Sequence, residues 1–391
     1  LQKKINRQVL LGAAFLMATS AVGPGFLTQT VVFTNQLLAS CAAVILLSVA
    51  IDVFAQLNTW RIIAVSGMRA PVLANELLPG AGNFLTILIV FGGLAFNIGN
   101  ISGAGLGLNV LFGINVQEGA AISAVIAILV FILKEAGKVM DWFVKILGVL
   151  MIGLTLYIAI ITSPPLKEVA VKSIFPDKFS WISVITLVGG TVGGYITFAG
   201  AHRLLDAGIK GKDSLPFVTR SSITAILLAS LMRVILFLAA LGVVVKGYQL
   251  SSGNPAASVF EIAAGKIGYK IFGIVMWAAS ITSVVGSAYT SISFFKTLHP
   301  SLESNNNRLI IVFILISSII FIIWGQPIVI LIWAGTINGF ILPVSLGLML
   351  WAVNKKRLFK DYIHPLWLSI TGWIVVAIML WMSMELLIEQ I

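Results

Sequence analysis

Three stretches of this sequence put groups capable of binding chemistry inside apolar segments. In 18-ATSAVGPGFLTQT-30 the triplet Gly23-Pro24-Gly25 interrupts an apolar run, and in 188-VGGTVGGYITFAG-200 four glycines fall within six residues. In 228-LASLMRVILFLAA-240 a lone basic residue, Arg233, lies among aliphatic neighbours. Glycine and proline both disrupt a helix interior. Unwound backbone is tolerated at membrane depth only where it lines a cavity or is buried in protein. There the N-termini of half-helices attract anions and freed carbonyls attract cations. An arginine in a span costs roughly 2.5 kcal/mol or more, so it faces the bundle interior and needs a partner. The chemistry these residues offer is reversible binding of a solute or ion. A catalytic role is not expected.

The elements that must position them are membrane helices. The chain is 59% hydrophobic and only 10% charged, with a mean hydropathy of +1.05. A soluble domain carries about 25% charged residues. Eleven apolar segments are expected, at 8–33, 36–57, 82–113, 118–134, 142–162, 181–206, 222–246, 271–297, 308–324, 327–352 and 366–388. Most exceed the ~20 residues that cross a bilayer. The stretch 58–80 is too polar to span and reads as a loop or surface helix. The start, Lys3-Lys4-Arg7 before an apolar run, mimics a signal peptide, but the many spans after it argue against that reading. Cys41 is the only cysteine, which excludes internal disulfides and cysteine clusters. With the N-terminus in the cytoplasm, 18 of the 25 Lys and Arg fall inside and six outside, with Arg233 left in a span. The positive-inside rule therefore predicts N-terminus in and C-terminus out, in a multi-pass protein of the bacterial plasma membrane. The net charge of +11 is a topology signal and implies no nucleic-acid partner.

The two glycine-rich interruptions lie in the first and sixth segments, five spans apart. Matched interruptions of this kind point to inverted repeats with the binding site between them. The repeats are expected at 8–162 and 181–352, with 366–388 appended, all within one transmembrane domain of residues 1–391. Close packing of glycine-bearing helices is the structural alternative.

The run 103-GAGLGLNVLFGINVQEG-119 resembles the end of the third helix of Nramp divalent-metal transporters. The broken first segment and the start of the sixth are similar to the same family. The resemblance covers nearly the whole chain and implies an all-α, LeuT-like 5+5 inverted-repeat fold with helices 1 and 6 broken and an eleventh helix added. It also implies that the metal ligands have been replaced. The family's Asp-Pro-Gly-Asn falls on Gly23-Pro24-Gly25-Phe26, and its Met-Pro-His falls on Gly193-Gly194-Tyr195. The acidic pair of its third helix falls on Asn97 and Asn100, a glutamine of its tenth on Ile341, and an asparagine near its metal site on Arg233. Divalent cations need carboxylate, imidazole or sulfur ligands. No Asp, Glu or His is expected deep in a span: His202, His299, His364, Asp52 and Asp206 all fall near predicted helix ends.

The expectation is therefore a secondary transporter, not an enzyme, that works by alternating access on a small organic solute. Gly190, Gly193 and Gly194 would open space, Phe26 and Tyr195 would add aromatic wall, and Arg233 would neutralise a substrate carboxylate or else cap carbonyls at a break. Amino acids and pyroglutamate-like carboxylates exemplify the class. A divalent-metal transporter with a degenerate site, and a non-transporting receptor that keeps the fold, are the alternatives. No resident cofactor and no obligate protein partner is inferred, and the lipid bilayer is the surroundings. The run 278-AASITSVVGSAYTSISFF-295 carries seven serines and threonines. Within it Ala279, Thr282 and Ser283 resemble the sodium-ligand pattern of LeuT-fold symporters, completed by carbonyls from Ser20 to Gly23. Sodium coupling is expected on this basis, with proton coupling or uncoupled diffusion as alternatives, and helix packing by small hydroxyl residues as the non-functional reading.

Overall fold

The computed structural model describes residues 23–295, 305–359 and 362–389, with the backbone alone at 134–145, 387 and 389. The described chain is helical, without strands. In order the helices are α1 (Pro24–Leu37), α2 (Cys41–Ser66), α3 (Ala70–Leu77), α4 (Ala81–Phe112), α5 (Val116–Ile132), α6 (Lys134–Thr162), α7 (Leu166–Lys172) and α8 (Trp181–Thr191). They continue with α9 (Ile196–Asp206), α10 (Leu215–Val244), α11 (Pro255–Phe295), α12 (Asn306–Trp324), α13 (Pro327–Val353), α14 (Lys356–Phe359) and α15 (Leu366–Glu389).

Eight helical runs among the described residues are long and apolar enough to cross a membrane, or nine if the bent α6–α7 pair is one span. The expected eleven is not reached on that measure, for physical reasons visible in the chain. Pro24–Ser66 counts as one run of 43 residues. At 1.5 Å per residue that is about 65 Å, twice the ~30 Å hydrocarbon thickness. The chain in fact leaves helical geometry at Leu38 (φ 52, ψ −135), which separates α1 from α2. The α5 helix has only 17 residues, and α6 is bent by 104° from α7. The first part of the stretch 58–80, expected as a loop or surface helix, instead continues a buried helix. α2 runs through Arg61 to Ser66 and ends on Gly67 in the left-handed region, and α3 follows.

The interruption of the sixth segment is present, and of the first segment the described residues show the helix start that follows Gly23. α1 starts at Pro24, where a missing N–H costs no helical bond, with Gly23 extended before it (φ −96, ψ −177). α8 stops at Thr191 and α9 resumes at Ile196. The α4 and α11 helices form the centre, with α13 packed on α4 and α8, and α10 on α1, α2 and α6. Lipid tails are as apolar as leucine, so close packing of small residues holds such a bundle. A Cβ on Gly103 would fall 2.2 Å from Pro24 Cβ, and one on Gly189 would fall 1.9 Å from Gly335 O. Trp60 Nε1 donates to Thr197 O at 3.0 Å and ties α2 to α9. Buried His202 accepts from Ala70 N at 3.1 Å and ties α3 to α9.

Candidate solute site at the paired helix breaks

Three elements meet at the first break. A Cβ on Gly23 would lie 3.9 Å from both Asn100 Oδ1 on α4 and Ser283 Oγ on α11. Pro24 packs against Gly103, beside which Ser280 also lies. The first backbone bond of α1 runs from Leu27 N to Gly23 O, 3.2 Å, and no side chain caps the helix end. Proline has no N–H, so the amides of Gly25 and Phe26 are left without a partner among the described residues. Amides at a helix N-terminus that no side chain caps favour a carboxylate.

A network of amides and hydroxyls lies beside it. Ser287 Oγ donates to Asn97 Oδ1 at 3.1 Å, and Asn97 Nδ2 donates to Ser317 Oγ of α12 at 3.1 Å. Asn100 Nδ2 reaches Ser287 Oγ at 3.5 Å, and the Tyr195 hydroxyl donates to Ser287 O at 3.2 Å. Asn97 is fully buried, Asn100 is 5% exposed and Tyr195 6%. The structure thus joins Gly23, Asn97, Asn100, Tyr195 and Ser283 at one level of the bundle. Ser287 and Ser317, which link them, were not singled out from the sequence.

The second break is held by α13. Asn338 accepts from Gly194 N (3.0 Å) through its carbonyl and from Tyr195 N (3.1 Å) through Oδ1. Its Nδ2 donates to Gly92 O and Ala334 O, both at 2.9 Å. The glycines here do not open space. A Cβ at Gly190 would sit 2.5 Å from Gln29 Oε1, one at Gly193 2.6 Å from Asn338 Cβ, and one at Gly194 2.2 Å from Ile341 Cγ2. Their lack of a side chain is used for close approach of α1 and α13. Gln29 donates to Leu331 O at 2.7 Å, and its buried Oε1 has no partner among the described residues. Gln29 and Asn338 were legible only as isolated amides in apolar runs.

Arg233 lies behind the breaks, 1% exposed. Its Nη2 donates to Thr191 Oγ1 at 2.8 Å and its Nη1 to Leu187 O at 3.5 Å, on the last turn of α8. Its guanidinium stacks on the Phe26 ring, 4.5 Å to the centroid. A cation at a helix C-terminus complements the helix dipole. Phe26, 2% exposed, is therefore a platform for Arg233 within the core.

The expectation that no carboxylate lies deep in a span is overturned by Asp52. It stands in the middle of α2, fully buried, because the helix begins at Cys41 and continues past the C-terminal end of the apolar segment to Ser66. Its charge and that of Arg233 act on each other. Neither Asp52 oxygen has a hydrogen bond among the described residues, and Arg233 Nε has none either. The Thr191 hydroxyl lies beside both groups.

Of the expected sodium ligands, Ser20 lies outside the described residues, as does His299. Thr282 Oγ1 donates to Ala279 O at 3.0 Å, and Ser283 faces Gly23. Among the described residues, no three His, Cys, Asp or Glu side chains come together.

A helical bundle in which the helix start at Gly23 and the break between Thr191 and Ile196 meet a buried polar level is the architecture of a LeuT-fold secondary transporter. Solved structures share the fold. The manganese transporter of Eremococcus coleocola, in complex with an aromatic bis-isothiourea compound, superposes with a TM-score of 0.71 at 15% identity, over 96% of this chain and 86% of that one. MhsT in complex with L-phenylalanine gives 0.68 at 17% identity, over 97% and 99%. The membrane protein YcsG of Bacillus subtilis (strain 168) is 59% identical over 383 residues, 98% of this chain and 95% of the relative. Residues 14–389 match the model of the natural resistance-associated macrophage protein-like (Nramp) family, and the chain belongs to that family.

Proposed function

We propose that this Nramp-family transporter carries a small zwitterionic or anionic organic solute by alternating access around the breaks at Gly23 and Val192–Tyr195. The observation that carries the reading is the meeting of Gly23, Asn100 and Ser283 at the uncapped start of α1. The amides of Gly25 and Phe26, without a partner among the described residues, suit a carboxylate, while Asn100 and Ser283 suit an amide or amine. This set of neutral groups would strip water from a dication only at high cost. Arg233 holds the start of α1 to the end of α8 through Phe26, Thr191 and Leu187, and the substrate carboxylate is read by backbone amides. Sodium, held by neutral oxygens from Ala279, Thr282, Ser283 and the Ser20–Gly23 carbonyls, is the proposed coupling ion.

Uptake of radiolabelled amino acids and pyroglutamate into proteoliposomes, with and without a sodium gradient, tests this directly. Saturable uptake of a carboxylate solute that Asn100→Ala weakens at least about ten-fold, the worth of a hydrogen bond to a charged group, is the expected result. Manganese transport with no organic uptake would sink the reading. If sodium drives uptake, Thr282→Val with Ser283→Ala raises the sodium concentration required.

A further inference from the structure

A groove of about 560 Å³ opens on the outside of the bundle between α2 and the start of α10, lined among others by Arg61, Pro216, Thr219, Arg220, Ile223 and Thr224. It is far in sequence from both breaks and shares none of their residues. Arg61 Nη1 donates to Thr219 Oγ1 at 2.6 Å, which fixes the guanidinium in the groove wall. Its Nε is buried with no hydrogen-bond partner among the described residues. Arg220 is exposed at the mouth. None of the lining residues is acidic.

What lies next to the two arginines identifies the occupant. From Arg220 the same face of α10 continues through Thr224, Leu227, Leu231 and Val234, at steps of four, three, four and three residues. Leu227 is 55% exposed, Leu231 57% and Val234 39%. The exposed apolar part, Leu227 to Val234, covers seven residues of rise, about 10 Å, and so lies within the ~15 Å of one leaflet of a ~30 Å hydrocarbon core. A free anion would use the arginines and ignore the stripe. A phospholipid uses both, its phosphate against the guanidiniums and one acyl chain along α10. Basic pockets between spans at the cytoplasmic side are suited to anionic headgroups, and guanidinium matches phosphate geometry. The charge bias of the chain assigns this end to the cytoplasm.

We propose that this groove is a binding site for an anionic phospholipid of the adjoining leaflet. Native mass spectrometry of the full chain in detergent, titrated with phosphatidylglycerol, phosphatidylcholine or inorganic phosphate, tests it. Phosphatidylglycerol should be retained over phosphatidylcholine, and each of Arg61→Gln and Arg220→Gln should lower that preference about five-fold, as expected for one cationic side chain near an anionic lipid. Arg220→Gln alters an exposed side chain, so it separates lost binding from lost folding. Leu227→Asn with Leu231→Asn should weaken phosphatidylglycerol retention with both arginines intact. Equal retention of the two lipids, or a preference untouched by Arg220→Gln, would overturn the proposal. So would displacement by inorganic phosphate with no effect of the leucine changes, which would mark a site for free phosphate.

Discussion

Arg233 and Asp52 are both buried beside Thr191, and losing either one alone should cost more than losing the two together. Neither Asp52 oxygen bonds Arg233, so any coupling between them is through proximity in the bundle core. Removing one partner of a buried charge pair costs about 3–5 kcal/mol because the other is stranded. Arg233→Gln and Asp52→Asn should each lower the detergent melting temperature sharply, and the double variant should be more stable than the sum of the two predicts. Strict additivity would show that the two charges do not interact. Arg233 survives in a span where only aliphatic neighbours are visible in sequence because Thr191, Leu187 O and the Phe26 ring receive its guanidinium. Asp52 lies about 180 residues earlier on α2, among residues whose burial the local pattern does not reveal.

At the scale of elements, the second break is a stapled joint. Asn338 pairs both with backbone of the break and with α4. Asn338→Leu removes these bonds and leaves Tyr195 N without its acceptor, at about 1–3 kcal/mol for a stranded buried group. Uptake should fall by at least ten-fold with the helix content by circular dichroism unchanged; wild-type rates would show that the staple has no role in transport. A second joint ties α2 to the segment before α15. His364 accepts from the Tyr362 hydroxyl at Nδ1 (3.0 Å) and donates from Nε2 to Asn58 Oδ1 (2.8 Å), which requires the neutral ring. Burial, and then the nearby charge of Arg61, hold His364 down to about 4. A histidine whose folded value lies below the unfolded ~6.5 stabilises the fold above pH 6.5, and that contribution is lost as pH falls toward 4. Thermal stability should therefore drop across this window, and His364→Gln should flatten that part of the profile.

For the molecule as a whole, alternating access means that the polar level faces one side of the membrane at a time. Cys41 is buried and is the only cysteine, so a background lacking it is simple to make. In Cys41→Ala, a cysteine in place of Ser283 should react with a membrane-impermeant thiol reagent, and a transported solute should change the rate severalfold. Identical labelling with and without the solute would count against a solute-dependent opening at Gly23.

The chain by itself determined that this is a membrane bundle, where its apolar segments lie, that segments 1 and 6 are interrupted, and which family it resembles. Those are properties of composition and local periodicity, set within a few helical turns. The role of each glycine was not legible, because the space left by a missing Cβ belongs to whatever packs against it. Gly190, Gly193 and Gly194 receive Gln29, Asn338 and Ile341 from distant helices. The same limit hid the burial of Asp52, the bonding of Arg233 to Thr191, and the joining of Asn97, Asn100, Ser287 and Ser317 across three helices. In a bilayer every buried polar group must find its partner within the protein. Which partner it finds is decided by helices that meet only in the folded bundle.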